Sequence, residues 1–165
     1  MKNKSINMLI VGLILLGLMA VMLIVFIEKA HDDFEKNITV NSEGVTESVL
    51  SVRNLKLTPT QKSEYSINLV CDASGSYHVS LVYEEKTDGG MKEFVNVLVK
   101  YDEKIAYEGT LGALLDGHET IEFESELKSD DPVVITICYE MPYTVGNEAQ
   151  GTYADFDICL KIEKS

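Results

Sequence analysis

Asp155-Phe156-Asp157-Ile158-Cys159-Leu160-Lys161-Ile162-Glu163 alternates strictly between apolar and polar side chains, with Cys159 the one soft residue in the polar phase. In an extended chain successive side chains point to opposite faces, so this pattern predicts a strand with one face buried and one in water. Working outward from it, the same two-residue period recurs through most of the chain. Tyr65, Ile67, Leu69 and Cys71 alternate with Ser66, Asn68 and Asp72. Tyr77, Val79, Leu81 and Tyr83 alternate with His78, Ser80 and Glu84, and Val95, Val97, Val99 and Tyr101 with Asn96 and Lys100. Ile121 and Phe123 face away from Glu122, Glu124 and Glu126, and Ile135, Ile137 and Tyr139 come next.

Turn-forming clusters punctuate these runs: Ala73-Ser74-Gly75-Ser76, Asp88-Gly89-Gly90, Asp116-Gly117, Ser129-Asp130-Asp131-Pro132 and Gly146-Asn147. The Ser74-Gly75 and Asp88-Gly89-Gly90 segments read as hairpin links. Only Thr110–Leu115 has room for a helical turn. Seven or eight short strands at this spacing predict an all-β fold, a jelly-roll or Ig-like β-sandwich.

The N-terminus is of a different kind. Met8–Ile27 (MLIVGLILLGLMAVMLIVFI) carries no charge, and about 20 apolar residues span the hydrocarbon layer of a bilayer. It is apolar on every side, so it is not a surface helix. Its membrane-contacting residues include Met8, Leu9, Ile10, Leu15, Leu16, Leu23, Ile24, Phe26 and Ile27. Lys2 and Lys4 precede it, which leaves the N-terminus in the cytoplasm and the rest outside. A cleaved signal is the alternative, with small residues expected at −3 and −1. Cutting after Ala30 puts Glu28 at −3, and cutting after Ala20 puts Leu18 there, so an uncleaved anchor is favoured. Either outcome exports the remainder of the chain.

The expected organisation is therefore a signal-anchor helix over 1–27, a polar juxtamembrane stalk over 28–44 and an extracellular β-sandwich over 45–165. The expected location is the cell membrane, single-pass, or secreted if the segment is cut.

The chain has 165 residues, 14 Lys+Arg and 27 Asp+Glu, for a net charge of −13. Beyond the apolar run 12 cations face 27 anions, a net −15. Such a surface repels phosphate backbones, which excludes nucleic acid as a partner. Its ordinary meaning is solubility and repulsion between copies.

Met141–Glu163 (MPYTVGNEAQGTYADFDICLKIE) resembles the closing segment of the TasA/camelysin family of exported bacterial surface proteins. The matching positions are Pro142, Gly146, Asn147, Gln150 and Gly151, then Phe156, Ile158 and Leu160 of the final strand. Val52–Pro59 (VRNLKLTP) and Ile105–Leu115 (IAYEGTLGALL) resemble two earlier elements of the same family. The resemblance implies a jelly-roll sandwich at the surface. Some members build extracellular matrix fibres, and one branch is classed as metallopeptidase. The family usually carries a cleavable signal, and here this chain departs from it. Read from the residues alone, Gly146 and Gly151 bracket a loop needing unusual backbone angles. Asn147 and Gln150 would then hydrogen-bond backbone groups the loop leaves unpaired.

Catalytic patterns fail on spacing. His118-Glu119-Thr120-Ile121-Glu122 starts like a zinc-protease HExxH motif, but its last position is Glu122, not histidine. In a strand His118 and Glu122 would also stand about 13 Å apart, at roughly 3.3 Å per residue. No protease activity and no cofactor are expected. Cys71 falls in the inward phase. Cys138 and Cys159 fall in the outward phase; if their strands pair, the sulfurs meet in a disulfide, and otherwise both are exposed thiols. Acidic clusters at Glu84-Glu85, Glu122-Glu124-Glu126 and Asp130-Asp131 match no calcium-loop spacing and read as solvated faces. Asn37-Ile38-Thr39 fits a glycosylation sequon.

The function expected is non-enzymatic: a surface protein that assembles with itself, or adheres to other surface proteins, through sheet edges. The segment Asn37–Val52 (NITVNSEGVTESVLSV) is the candidate donor strand, carrying Ile38, Val40, Val49 and Leu50. An anchored monomeric binding module that recognises a ligand with its loops is the alternative.

Overall fold

A computed structural model describes residues 34–165 apart from Ser42, His118 and Asp130. The expected anchor, Met8–Ile27, lies outside the described residues, and among the described residues no helix is long and apolar enough to cross a membrane.

The described chain is built of nine strands: β1 (Phe34–Val40), β2 (Thr46–Leu55), β3 (Lys62–Cys71), β4 (Gly75–Asp88), β5 (Asn96–Tyr101), β6 (Lys104–Thr110), β7 (Ile121–Leu127), β8 (Val133–Glu140) and β9 (Ala154–Lys164). One α-helical turn, α1 (Leu111–Leu115), starts at Thr110, whose hydroxyl accepts from the Ala113 N–H, and two 3-10 turns lie at Lys92–Phe94 and Asn147–Ala149. The strands form a five-stranded sheet in the order β1-β3-β8-β5-β6 and a four-stranded sheet in the order β2-β9-β4-β7. The architecture is a β-sandwich.

Every alternating run keeps its phase. In β9 Phe156, Ile158, Leu160 and Ile162 are buried, while Asp157, Cys159 and Lys161 face out. In β7 Ile121 and Phe123 are buried, and Glu122, Glu124 and Glu126 are exposed. The centre of the core is aromatic. Tyr139 of the five-stranded sheet lies 5.7 Å from Phe156 of the four-stranded sheet, and Tyr83 stacks on Phe156 at 5.7 Å. The buried Tyr83 and Tyr139 hydroxyls are 3.2 Å apart, so each polar tip is satisfied by the other. Burial pushes both phenols above their ordinary range. A second cross-sheet stack joins Tyr101 and Phe123 at 4.2 Å.

Two expectations about connections are corrected. The links at Ser74-Gly75 and Asp88-Gly89-Gly90 are not hairpins: β3 to β4 and β4 to β5 each pass from one sheet to the other. Gly89 is required for a packing reason. A Cβ there would stand 2.4 Å from the Tyr153 ring and 2.6 Å from its carbonyl oxygen. The hairpin that does form is β5–β6, closed by Asp102 and Glu103 at φ 44° and 63°. Two left-handed residues suit the twist of a two-residue hairpin, although neither is the usual Asn or Gly.

Part of the expected stalk belongs to the sandwich. Residues 34–40 are not a tether but a strand, β1, parallel to β3 with Ile38 opposite Leu69 and Val40 opposite Cys71. Among the described residues the sandwich thus begins with β1 at Phe34 rather than at 45.

Candidate functional site: the β1 rim and a loop groove

Two places stand out above the regular sheet surface. The first is the rim where β1 and β2 end their respective sheets. β1 has the pattern of a strand filling a slot: Ile38 and Val40 are buried, with Val40 fully so. Among the described residues its ladder partner is β3, on one side alone. Among the described residues β2 pairs with β9 only, burying Leu50 and Val52 and leaving Val49 54% exposed. The candidate donor segment is therefore not free. Its two halves are edge strands of opposite sheets in the same chain, joined by a turn in which Asn41 Oδ1 accepts from the Glu43 N–H. The sequon residue Asn37 accepts from Asn68 Nδ2 at 2.8 Å.

Lys36 shares the inward phase of β1 with Ile38 and Val40. Its Nζ donates to Ser48 Oγ at 3.0 Å and to the Val49 carbonyl oxygen at 2.9 Å, both on β2. A charged side chain turned inward on an edge strand is one of the devices that blunt an edge. Sequence reading passes over Lys36; the signal for it is its place in step with two apolar residues.

The second place is a groove of about 400 Å³ lined by Lys56, Leu57 and Pro59 on one side and by Asn147, Gln150 and Gly151 among others on the opposite side. It brings together the Val52–Pro59 stretch and the Gly146–Gly151 loop, two of the three stretches that carry the family resemblance. The first wall is held between two left-handed residues, Asn54 at φ 54° and Thr60 at φ 74°. For a β-branched residue that conformation is strained. Thr60 is kept there by its N–H donating to the Met141 carbonyl oxygen at 2.9 Å.

The loop is braced differently from the expectation. Gly151 is left-handed at φ 81°, but Gly146 at φ −92° is not. The brace is Glu148, not Asn147 or Gln150: its carboxylate accepts from the Gly146 N–H at 3.0 Å. Its own amide and that of Gly146 hold the Glu148 carboxyl below its usual range. The Asn147 and Gln150 side chains line the groove and are exposed. Pro142 starts the loop, its carbonyl accepting from Val145 N–H, and Tyr143 beside it is 81% exposed.

The disulfide expectation is overturned. Cys138 lies on β8 and Cys159 on β9, strands of different sheets, and both point outward from opposite faces of the sandwich. All three cysteines are free, with Cys71 buried. Desolvation, and the Glu84 carboxylate beside Cys159, push the Cys138 and Cys159 thiols up. Less thiolate at a given pH means slower alkylation. Iodoacetamide at about pH 8 is expected to label both more slowly than a small free thiol, with the rate still rising above about pH 9. A Cys138–Cys159 linked peptide in a non-reducing digest would contradict the assignment.

The acidic clusters are partly answered by cations. Glu84 pairs with Lys86, and Glu85 and Asp116 with Lys92. Glu124 lies 3.0 Å from His78 Nδ1. Among the described residues no group of three or more His, Cys, Asp or Glu is placed to share an ion. His118 lies outside the described residues.

No family model matches the chain, and no curated protein matches it. Several solved structures are similar to it. The pre-peptidase C-terminal domain of a Bacillus anthracis collagenase is 12% identical with a TM-score of 0.35, covering 81% of this chain and 98% of that one. PliG of Aeromonas hydrophila, a periplasmic inhibitor of g-type lysozyme, is 11% identical with a TM-score of 0.36, covering 78% and 99%. The CUB1-EGF-CUB2 region of rat MASP-1 is 10% identical with a TM-score of 0.38, covering 77% and 42%. Likenesses at this level transfer no ligand and no functional residue to this chain.

Proposed function

We propose that this chain is a non-enzymatic cell-surface protein of the TasA/camelysin type, which displays a jelly-roll domain outside the membrane and assembles through its sheet edges. The strand order supports the jelly-roll reading: with β1 set aside, β2-β9-β4-β7 and β3-β8-β5-β6 form two interleaved four-stranded sheets. The anchor reading rests on the uncharged Met8–Ile27 segment. Membership of the fibre-forming family rests on the three motif stretches, two of which meet at the groove.

The observation that carries the assembly reading is β1. It is the first strand of the described chain, among the described residues it pairs on one side alone, and it fills its slot with two buried aliphatic residues, Ile38 and Val40. Exchange of such an element between identical copies is a low-cost route to oligomers, because each copy receives from its neighbour the same strand pairing that it gives up. The expected result is that residues 31–165 form fibres or large oligomers by light scattering at high concentration. The same protein lacking 31–41 does not form ordered ones. Persistent monomers of 31–165 would remove the reading.

A monomeric binding module is the second reading, favoured by the groove alone. Its exposed Asn147 and Gln150 amides offer both donors and acceptors to a bound molecule.

A further inference from the structure

We infer that Lys36 is the latch that sets how readily β1 leaves its sheet, and with it how readily a second copy of this chain exchanges strands. The consequence for assembly rests on the proposed function; the latch itself rests on geometry. Lys36 stands opposite Ile67 in the β1–β3 register, in the phase that faces the core. An aliphatic residue there would only add to the packing. The lysine instead runs its stem along the rim and delivers its ammonium group to the other sheet, on Ser48 Oγ and the Val49 carbonyl oxygen. It is the described hydrogen-bonded link from β1 to β2, made by a charged donor, and such bonds are stronger than neutral ones.

The acceptor matters as much as the donor. Val49 stands on β2, an edge strand of its sheet, and its carbonyl oxygen accepts from Lys36. A sheet edge is where an added strand would bond. One side chain therefore holds β1 down and ties it to the edge strand of the other sheet. When β1 lifts, the β3 edge and the β2 edge open together. An incoming β1 from a second copy carries its own Lys36 and restores both hydrogen bonds, so the latch governs the rate of exchange more than the stability of the product.

The test uses the full-length chain and Lys36→Met, which keeps an unbranched stem and removes the charge and the donors. Amide hydrogen exchange is measured by mass spectrometry in peptides spanning 34–41, with peptides spanning 133–140 of β8 as internal reference. The expected result is exchange about tenfold faster or more in the β1 peptides, the scale of one charge-assisted hydrogen bond, with β8 unchanged. Ser48→Ala, which removes one of two acceptors, shifts β1 in the same direction by less. Unchanged β1 protection, or an equal loss in β1 and β8, would overturn the latch. Light scattering on the same samples separates the two ideas. Faster β1 opening with no oligomers in either protein keeps the latch and removes assembly; oligomers growing at equal rates in both, with β1 opening unchanged, do the reverse.

Discussion

Phe156→Ala is expected to lower the unfolding free energy by about 3–5 kcal/mol, the usual cost of deleting a buried phenyl group. A domain of this size has about 5–15 kcal/mol in hand, so the variant stands near the edge of folding. Phe156 is fully buried and touches both sheets: Tyr83 stacks on it from the neighbouring strand of its own sheet, and Tyr139 meets it from the opposite one. Removing the ring leaves a cavity where the sheets are glued, and it loosens the slot that orients the paired tyrosine hydroxyls. The apparent melting temperature should fall by roughly 10–20 °C. Val49→Ala, on the outer face of β2, should change stability by about 0.5 kcal/mol or less. Denaturant melts of the two variants beside the parent check this; a cost for Phe156→Ala below about 1 kcal/mol would mean the ring does not join the sheets.

The same residue shows what a sequence can disclose. Alternation alone places Phe156 inside, together with Tyr77, Val79, Leu81, Tyr83 and Tyr139, because a sandwich strand buries one face and wets the other. Alternation does not say which sheet a strand joins. Ala73-Ser74-Gly75 reads the same whether the chain turns back beside itself or steps across to the opposite sheet. Reading it as a hairpin is therefore an error of pairing, not of phase. Cys138 and Cys159 fail for the same reason: both face outward as expected, but from opposite faces. The groove is half legible. Its two walls are each picked out by resemblance, yet nothing local says that Pro59 and Gly151 line one cleft. Glu148 escapes notice because a glutamate in a polar loop looks like any solvated charge until its carboxylate is seen on the Gly146 amide. β1 is half legible: Ile38 and Val40 stand in the candidate donor strand, but its partner, β3, is distant in sequence and parallel, so nothing local shows the pairing. A lysine in the inward phase also breaks the apolar pattern that would announce a strand.

Val40→Asp is the change expected to have the largest effect on β1 itself. Val40 is fully buried opposite Cys71, and a carboxylate there would be buried without a described cation beside it. An unpaired buried charge costs several kcal/mol, more than the roughly 3–6 kcal/mol that burying Ile38 and Val40 contributes. The chain can avoid that cost by letting β1 go, because among the described residues β1 lies at one edge of its sheet and is paired on one side, whereas the aromatic centre lies among β4, β8 and β9. The expected result is an otherwise folded sandwich with β1 detached: amides of 34–41 exchange freely while those of 133–140 stay protected. The emptied slot then exposes the β3 edge and the apolar side chains that Ile38 and Val40 covered. A synthetic peptide of residues 34–41 should bind there and restore protection along β3, and a peptide carrying the same Val40→Asp change should not. Restoration would show that the slot accepts a strand supplied from outside the chain, the step that assembly by exchange requires. Loss of protection throughout the domain, or a slot indifferent to the peptide, would mean that β1 is part of the folding core and that copies of this chain are not joined through it.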